Sequence, residues 1–202
     1  MDRLDDENIA LLTLLYSCKR PDSWKSLTNQ CLVEGSARRV LMNRLDAQSN
    51  PLREFDEVEP EDFALFPEPL SDARQREYDA AAREAERDYD EWMRAELRFV
   101  SIFDSDYPHL LLDSVDAPPF MFSKGLLLSD DRGVSVVGSR HASPQGLEFA
   151  QEVAAMLAKR SLTVVAGLAE GVDTAAHQAA LDAGARTVAF IGTGINRAYP
   201  AS

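Results

Sequence analysis

Cysteine is scarce: Cys18 and Cys31 are the only two in 202 residues. They lack the C-x-x-C spacing of a redox pair or a zinc site, and a reducing compartment disfavours a disulfide, so both read as helix packing residues. Histidine is equally sparse. His109, His141 and His177 fall at no helical or hairpin ligand spacing, so neither a metal nor another cofactor is expected. There is no run of about 18 apolar residues, Ile9 to Leu15 being broken by Thr13, which excludes a membrane-spanning helix. Residues Met1 to Asn8 are acidic and lack the basic-then-apolar order of a secretory signal. The expected location is therefore the cytoplasm, with no membrane partner. Also missing is a first-turn G-x-G-x-x-G fingerprint, which disfavours a standard dinucleotide site.

Positive charge is in short supply as well. The chain has 34 Asp+Glu against 21 Lys+Arg, a formal net charge of −13. Residues 1 to 96 hold 23 acids and 13 bases, a net of −10, while the remainder hold 11 and 8, a net of −3. A polyanion is thus only mildly repelled by the second half. Apolar residues make up 45% of the chain, enough for the packed cores of two small domains.

In the first half the periodicity is helical. Within residues 6 to 17, Ile9, Leu12 and Tyr16 share one side with Leu11, Leu14 and Leu15 beside it, behind a cap at Asp6. Asp22 caps a second short helix with Trp24, Leu27 and Cys31, and Ser36 a third with Val40, Leu41 and Leu45. Residues 1–48 are expected to form a small helical domain. Residues 49–96 supply an acidic linker, rich in Pro, Asp and Glu from Asn50 to Pro69, and a polar helix from Ser71 to about Glu96. Tyr78, Tyr89 and Trp92 anchor that helix, which reads as a solvated helix or as part of a coiled contact.

After Leu97 the texture changes to short apolar runs bounded by Gly, Pro and Asp, which marks a further domain over residues 97–202. Phe99 to Phe103 and Phe120 to Phe122 are extended pieces separated by turns at Tyr107-Pro108 and Ala117-Pro118-Pro119. Then strands and helices alternate: strand Val134 to Val137, helix Pro144 to Lys159, strand Leu162 to Ala166, helix Val172 to Ala183, strand Thr187 to Ile191. Continuous Val/Ile/Ala strands between amphipathic helices predict an α/β fold with a parallel sheet covered by helices on both faces. Phe190, inside an apolar strand, and Tyr199 read as packing residues. The strand from Thr187 to Ile191 is left as an open edge where another strand could pair.

Each parallel strand ends in a glycine-bearing turn, and the carboxyl ends of such strands line one edge where ligands bind. The first turn runs Gly138-Ser139-Arg140-His141-Ala142-Ser143-Pro144. Gly138 permits close backbone approach, Ser143 suits an N-cap, and Pro144 suits the first helical position. Backbone N–H groups and the positive helix end attract a phosphate there, to which Arg140 adds a bidentate contact. The second turn is Gly167-Leu168-Ala169-Glu170-Gly171, followed by Asp173 as a cap or first residue of the next helix. The third, Gly192-Thr193-Gly194, supplies two flexible backbone positions at the same edge. Any one glycine after a strand is ordinarily turn geometry, but three in register on one edge point to a binding site. Ser139 and His141 are close in sequence, yet no carboxylate is placed to orient the histidine, so no catalytic residue is assigned. His177, four residues after Asp173 on an alanine-rich helix, reads as a packing hydrogen bond.

The runs VSVVGSRHASPQG, VVAGLAEGVDTAAHQAAL and TVAFIGTGINRAYP together resemble the DNA-processing protein A family (DprA/Smf), over about residues 99 to 200. The resemblance implies a Rossmann-like domain behind a small all-α N-terminal domain. It further implies binding of single-stranded DNA and loading of the RecA recombinase onto it during natural transformation, by a binding protein rather than an enzyme. Gly138, Ser139 and Arg140, with His141 beside them, correspond to the turn lining the DNA pocket. Gly167, Leu168, Ala169 and Gly171 shape the sheet edge. Against the family pattern, Ala166 replaces a common Ser, and Glu170 puts a negative charge beside a phosphate site. Family members also continue beyond the point matching Ser202, with strands and helices that add basic and aromatic pocket residues and a homodimer surface. A partial domain with weakened DNA affinity, dimerisation and loading is the expectation. Two other readings compete: a nucleotide-binding relative, either a phosphoribohydrolase-like enzyme or a sensor, and a non-functional remnant. The first normally has a P-G-G-x-G-T-x-x-E segment, which this sequence does not contain.

Overall fold

The computed structural model describes residues 3–18, 22–46 and 72–196. The linker expected over Asn50 to Pro69, the capping side chains of Asp22 and Ser71, and Tyr199 lie outside what it describes. The chain forms two compact units, Met1–Ser129 and Asp130–Ser202.

In the first unit, α1 (Arg3–Tyr16), α2 (Asp22–Glu34) and α3 (Ala37–Asp46) form the expected small bundle. Helix α1 is apolar on two sides. Leu11, Leu14 and Leu15 pack with Leu27, Cys31 and Val40, while Leu12 meets Ala85 and Tyr89 of α4 (Asp72–Arg94). Burial pushes the Cys31 thiol pKa up to about 12, as fits a packing residue. Asp6 is not the cap, because α1 starts three residues earlier; its carboxylate instead accepts from Arg38 at 3.3 Å. Ser36 does cap α3, accepting from Arg39 N at 3.1 Å while its hydroxyl donates to Glu7 at 2.8 Å. Of the two readings of α4, the contact holds: Tyr78, Ala81, Ala85 and Tyr89 recur at helical spacing and are buried.

Strands β1 (Arg98–Ser101) and β2 (Phe120–Ser123) pair antiparallel with Phe99 opposite Phe122, and the one-turn α5 (His109–Leu112) lies between them in sequence. Trp92 of α4 stacks on Phe99 at 5.6 Å between ring centroids, and Phe99 on Phe120 at 5.0 Å. This aromatic cluster ties the hairpin to the helices. The compact division consequently falls at Ser129/Asp130 rather than at the change of texture near residue 97.

The second unit alternates as the sequence predicts: β3 (Gly133–Ser135), α6 (Pro144–Ala158), β4 (Thr163–Ala166), α7 (Val172–Asp182), β5 (Thr187–Ala189). All three strands are parallel, in the order β3-β4-β5, with β5 at an edge among the described residues. Parallel crossovers are right-handed, so a strand order that follows chain order carries both connecting helices to the same face. Helices α6 and α7 accordingly pack on each other and on β4, around Ala154, Leu157, Val164, Ala176 and Ala180. Cover on both faces was expected; among the described residues the helices of this unit cover one. On the other face Val137 is 66% exposed and Phe190 47% exposed, so Phe190 is not the buried strand residue anticipated. At the amino ends of the strands Asp131 accepts from the Thr163 hydroxyl and from Arg186 Nε at 2.6 Å, which fixes the end of the sheet away from the glycine turns.

Candidate functional site

The site is assembled from the turns at the carboxyl ends of β3 and β4. Beyond β3 the chain stays paired through Val136 N, which donates to Val165 O at 2.8 Å, and then enters the first turn. Ser143 caps α6 by accepting from Gly146 N at 3.1 Å, with Pro144 in the first helical turn. Ser139 Oγ accepts from His141 N at 3.1 Å, so the hydroxyl is engaged with backbone and not with the imidazole. Arg140 and His141 are exposed, and Arg140 makes no ion pair or side-chain hydrogen bond with a described residue.

The second turn presses directly on the first. Gly171 has φ +83°, and a Cβ there would overlap the Ser139 carbonyl oxygen and lie 2.7 Å from that of Arg140. Val172 N donates to Ser139 O at 3.2 Å, and a Cβ on Gly138 would lie 2.9 Å from Val172 Cγ2. Gly171 thus lets two backbones touch and Gly138 makes room for the Val172 side chain, so that the two turns pack closely beneath Ser139 and Arg140.

Asp173 organises the second turn from beneath. It is only 5% exposed, and its Oδ2 accepts from Gly167 N at 2.9 Å and Ala169 N at 3.4 Å. Thr174 N and Thr174 Oγ1 both donate to Ala169 O, at 3.2 and 2.8 Å. Sequence reasoning placed Asp173 only as a cap or first residue of the helix; its reach back to Gly167 N and Ala169 N depends on how the turn itself folds over the helix start, which residue type alone does not reveal. Leu168 within this turn has φ +60°, a conformation costing a non-glycine residue on the order of 1–2 kcal/mol. Glu170 is exposed and makes no ion pair with a described residue.

The third turn joins at its base. Phe190 N donates to Ala166 O at 3.0 Å, and Phe190 O lies 3.8 Å from where a Gly167 Cβ would stand. Gly192, Thr193 and Gly194 themselves are exposed and have no described contact with the first two turns. His177 stands apart from the turns, buried in α7. Its Nδ1 lies 2.6 Å from Thr187 Oγ1, which in turn donates to Val164 O at 2.8 Å. The threonine hydroxyl has spent its proton on Val164, so Nδ1 is the donor and Nε2 is left buried without a partner among the described residues. Burial lowers the His177 pKa, against a smaller opposing pull from Asp173.

Fold and sequence together define a Rossmann-like α/β protein with glycine-bearing turns at the carboxyl ends of its strands, preceded by a helical unit. Residues 98–202, just over half of the sequence, match the family model of DNA recombination-mediator protein A, and the chain belongs to that family. The match begins at the first residue of β1 and so takes in the hairpin as well as the parallel sheet. DNA processing protein DprA of Streptococcus pneumoniae is 48% identical over 101 residues, half of this chain and 36% of that protein. Protein Smf of Synechocystis is 36% identical over 110 residues, 51% of this chain and 27% of that one. The X-ray structure of the pneumococcal DprA superposes with a TM-score of 0.50 at 39% identity, covering 60% of this chain and 44% of the other. The chain thus spans roughly a third of the length of these curated relatives. Among the described residues no helix is long and apolar enough to cross a membrane.

Proposed function

We propose that the paired first and second turns bind the backbone of single-stranded DNA, and that the protein hands this strand to a RecA-type recombinase during natural transformation, without chemistry of its own. The observation that supports this reading most is the contact of Gly171 with the Ser139 and Arg140 backbone. It holds the backbone that carries Arg140, whose guanidinium is exposed and without a partner among the described residues, shortly before the amino end of α6, where an anion is favoured. Charge agrees: residues 130–202 hold 7 Asp+Glu and 6 Lys+Arg, a net of −1, so a polyanion approaches this unit with little repulsion.

Binding of a fluorescent oligothymidylate to the full chain, followed by anisotropy across a salt series, tests it. Arg140→Ala should weaken binding and reduce the slope of log K against log salt by about 0.7, the share of one phosphate contact on a single strand. A variant that binds with unaltered affinity and slope removes Arg140 from the interface.

A further inference from the structure

An aromatic residue at the end of an apolar strand is ordinarily packed, yet Phe190 is 47% exposed. Register shows where it stands. Ser135, Val165 and Val188 pair in turn across β3, β4 and β5. Val137 and Phe190, each two residues further on, therefore share the sheet face that the helices of this unit leave uncovered among the described residues. Both also adjoin the turns. Val137, 66% exposed, directly precedes Gly138, the first residue of the Arg140 turn. Phe190 N donates to Ala166 O at 3.0 Å, and its carbonyl oxygen lies 3.8 Å from where a Gly167 Cβ would stand, which puts it at the foot of the second turn. Two strand spacings of about 4.8 Å separate Val137 from Phe190, so a bare apolar strip roughly 10 Å wide borders the site.

A single exposed apolar residue needs no explanation, but an exposed aromatic ring that continues a phosphate-binding edge has a use. A single strand held by its phosphates leaves its bases unstacked, and a ring serves any of them because every base has a π-face. We infer that a base of the strand held at the turns stacks on Phe190, which makes the site prefer a strand carrying nucleobases over a bare phosphodiester chain. Continuity names this occupant: the strip begins at the residue before Gly138 and ends beside Gly167. The inference rests on the single-strand reading above and adds the part of the ligand that the phosphate contacts cannot distinguish.

The test compares Phe190→Ala with the native chain on two probes of equal length, an oligothymidylate and an abasic oligodeoxyribonucleotide. Its affinity for the oligothymidylate should drop at least about fivefold, the low end of what one base–ring stack contributes, while its affinity for the abasic strand stays that of the native chain. Phe190→Trp keeps a ring in place and answers the same question should the alanine variant fail to fold. The oligothymidylate should quench its fluorescence beyond the change seen in the native chain, which has Trp24 and Trp92, and the abasic strand should not. Unchanged affinity of Phe190→Ala for the oligothymidylate, an equal loss on both probes, or no added quenching in Phe190→Trp overturns the inference. So does a native dimer, seen by light scattering, that Phe190→Ala dissociates, since a second copy would then cover the strip. If the native chain binds neither strand, the single-strand reading falls and this one with it, an outcome distinct from native binding that Phe190→Ala leaves unchanged.

Discussion

Gly171 is under two separable constraints, a positive φ and a carbonyl wall, and Gly184 is under the first alone, with φ +67° and nothing within 4 Å of where a Cβ would stand. Gly184→Ala should therefore cost about 1 kcal/mol, the conformational share. Gly171→Ala should cost about 3 kcal/mol, because the new methyl also overlaps Ser139 O and drives the two turns apart. Urea unfolding of both variants measures the difference, and equal losses would mean that the turns are not in contact. Glu170, one residue earlier, is the electrostatic counterpart. It is exposed and unpaired among the described residues, so replacing it disturbs no packing. Glu170→Lys should raise affinity for oligothymidylate roughly threefold at about 0.1 M salt, fading as salt screens it. A neutral or adverse effect would place the strand elsewhere on the edge.

Helix α7 is tied to the sheet through a hydrogen-bond chain, from His177 Nδ1 to Thr187 Oγ1 to Val164 O, which leaves Nε2 buried and without a partner among the described residues. Protonating Nε2 puts a charge where burial disfavours it, so the folded pKa lies below the ordinary histidine value. The unfolded chain takes up its proton first as pH falls, near pH 6.5, and from there downward the unfolded state binds more protons. Stability is full above that value and falls below it. Denaturant unfolding at pH 7.5 and pH 5 should show His177→Asn, which keeps a donor toward Thr187, losing less stability on acidification than the native chain; equal losses would remove His177 as the titrating group. Much at this scale is legible in sequence. The alternation of strands and helices from Val134 to Ile191, the Ser143-Pro144 helix start and the packing role of His177 all follow from local chemistry. Periodicity fixes the type of an element but not the order of strands in a sheet, which is why cover by helices was expected on both faces and Phe190 inside. The Asp173 contacts and the left-handed Leu168 were hidden for a related reason: both belong to the backbone path of the second turn, which residue type and periodicity do not report.

Across the whole molecule the charge is divided as sharply as the fold. Residues 1–129 hold 27 Asp+Glu and 15 Lys+Arg, a net of −12, against −1 for residues 130–202. A nucleic acid is therefore repelled by the net charge of the first unit and hardly at all by that of the second. On α4, Glu86, Asp90 and Glu91 are exposed and have no partner among the described residues, so neutralising them removes charge without breaking a bond. Their repulsion reaches only as far as the Debye length, about 30 Å at 0.01 M ionic strength and about 8 Å at 0.15 M. The triple variant Glu86→Gln, Asp90→Asn, Glu91→Gln should thus associate with oligothymidylate faster than the native chain at about 0.01 M salt, and at the native rate above about 0.3 M. Dissociation should be unaltered at both, since no contact at the turns has changed. Stopped-flow anisotropy separates the two rates. A change in the dissociation rate would show that the α4 carboxylates act on the bound strand and not only on its approach.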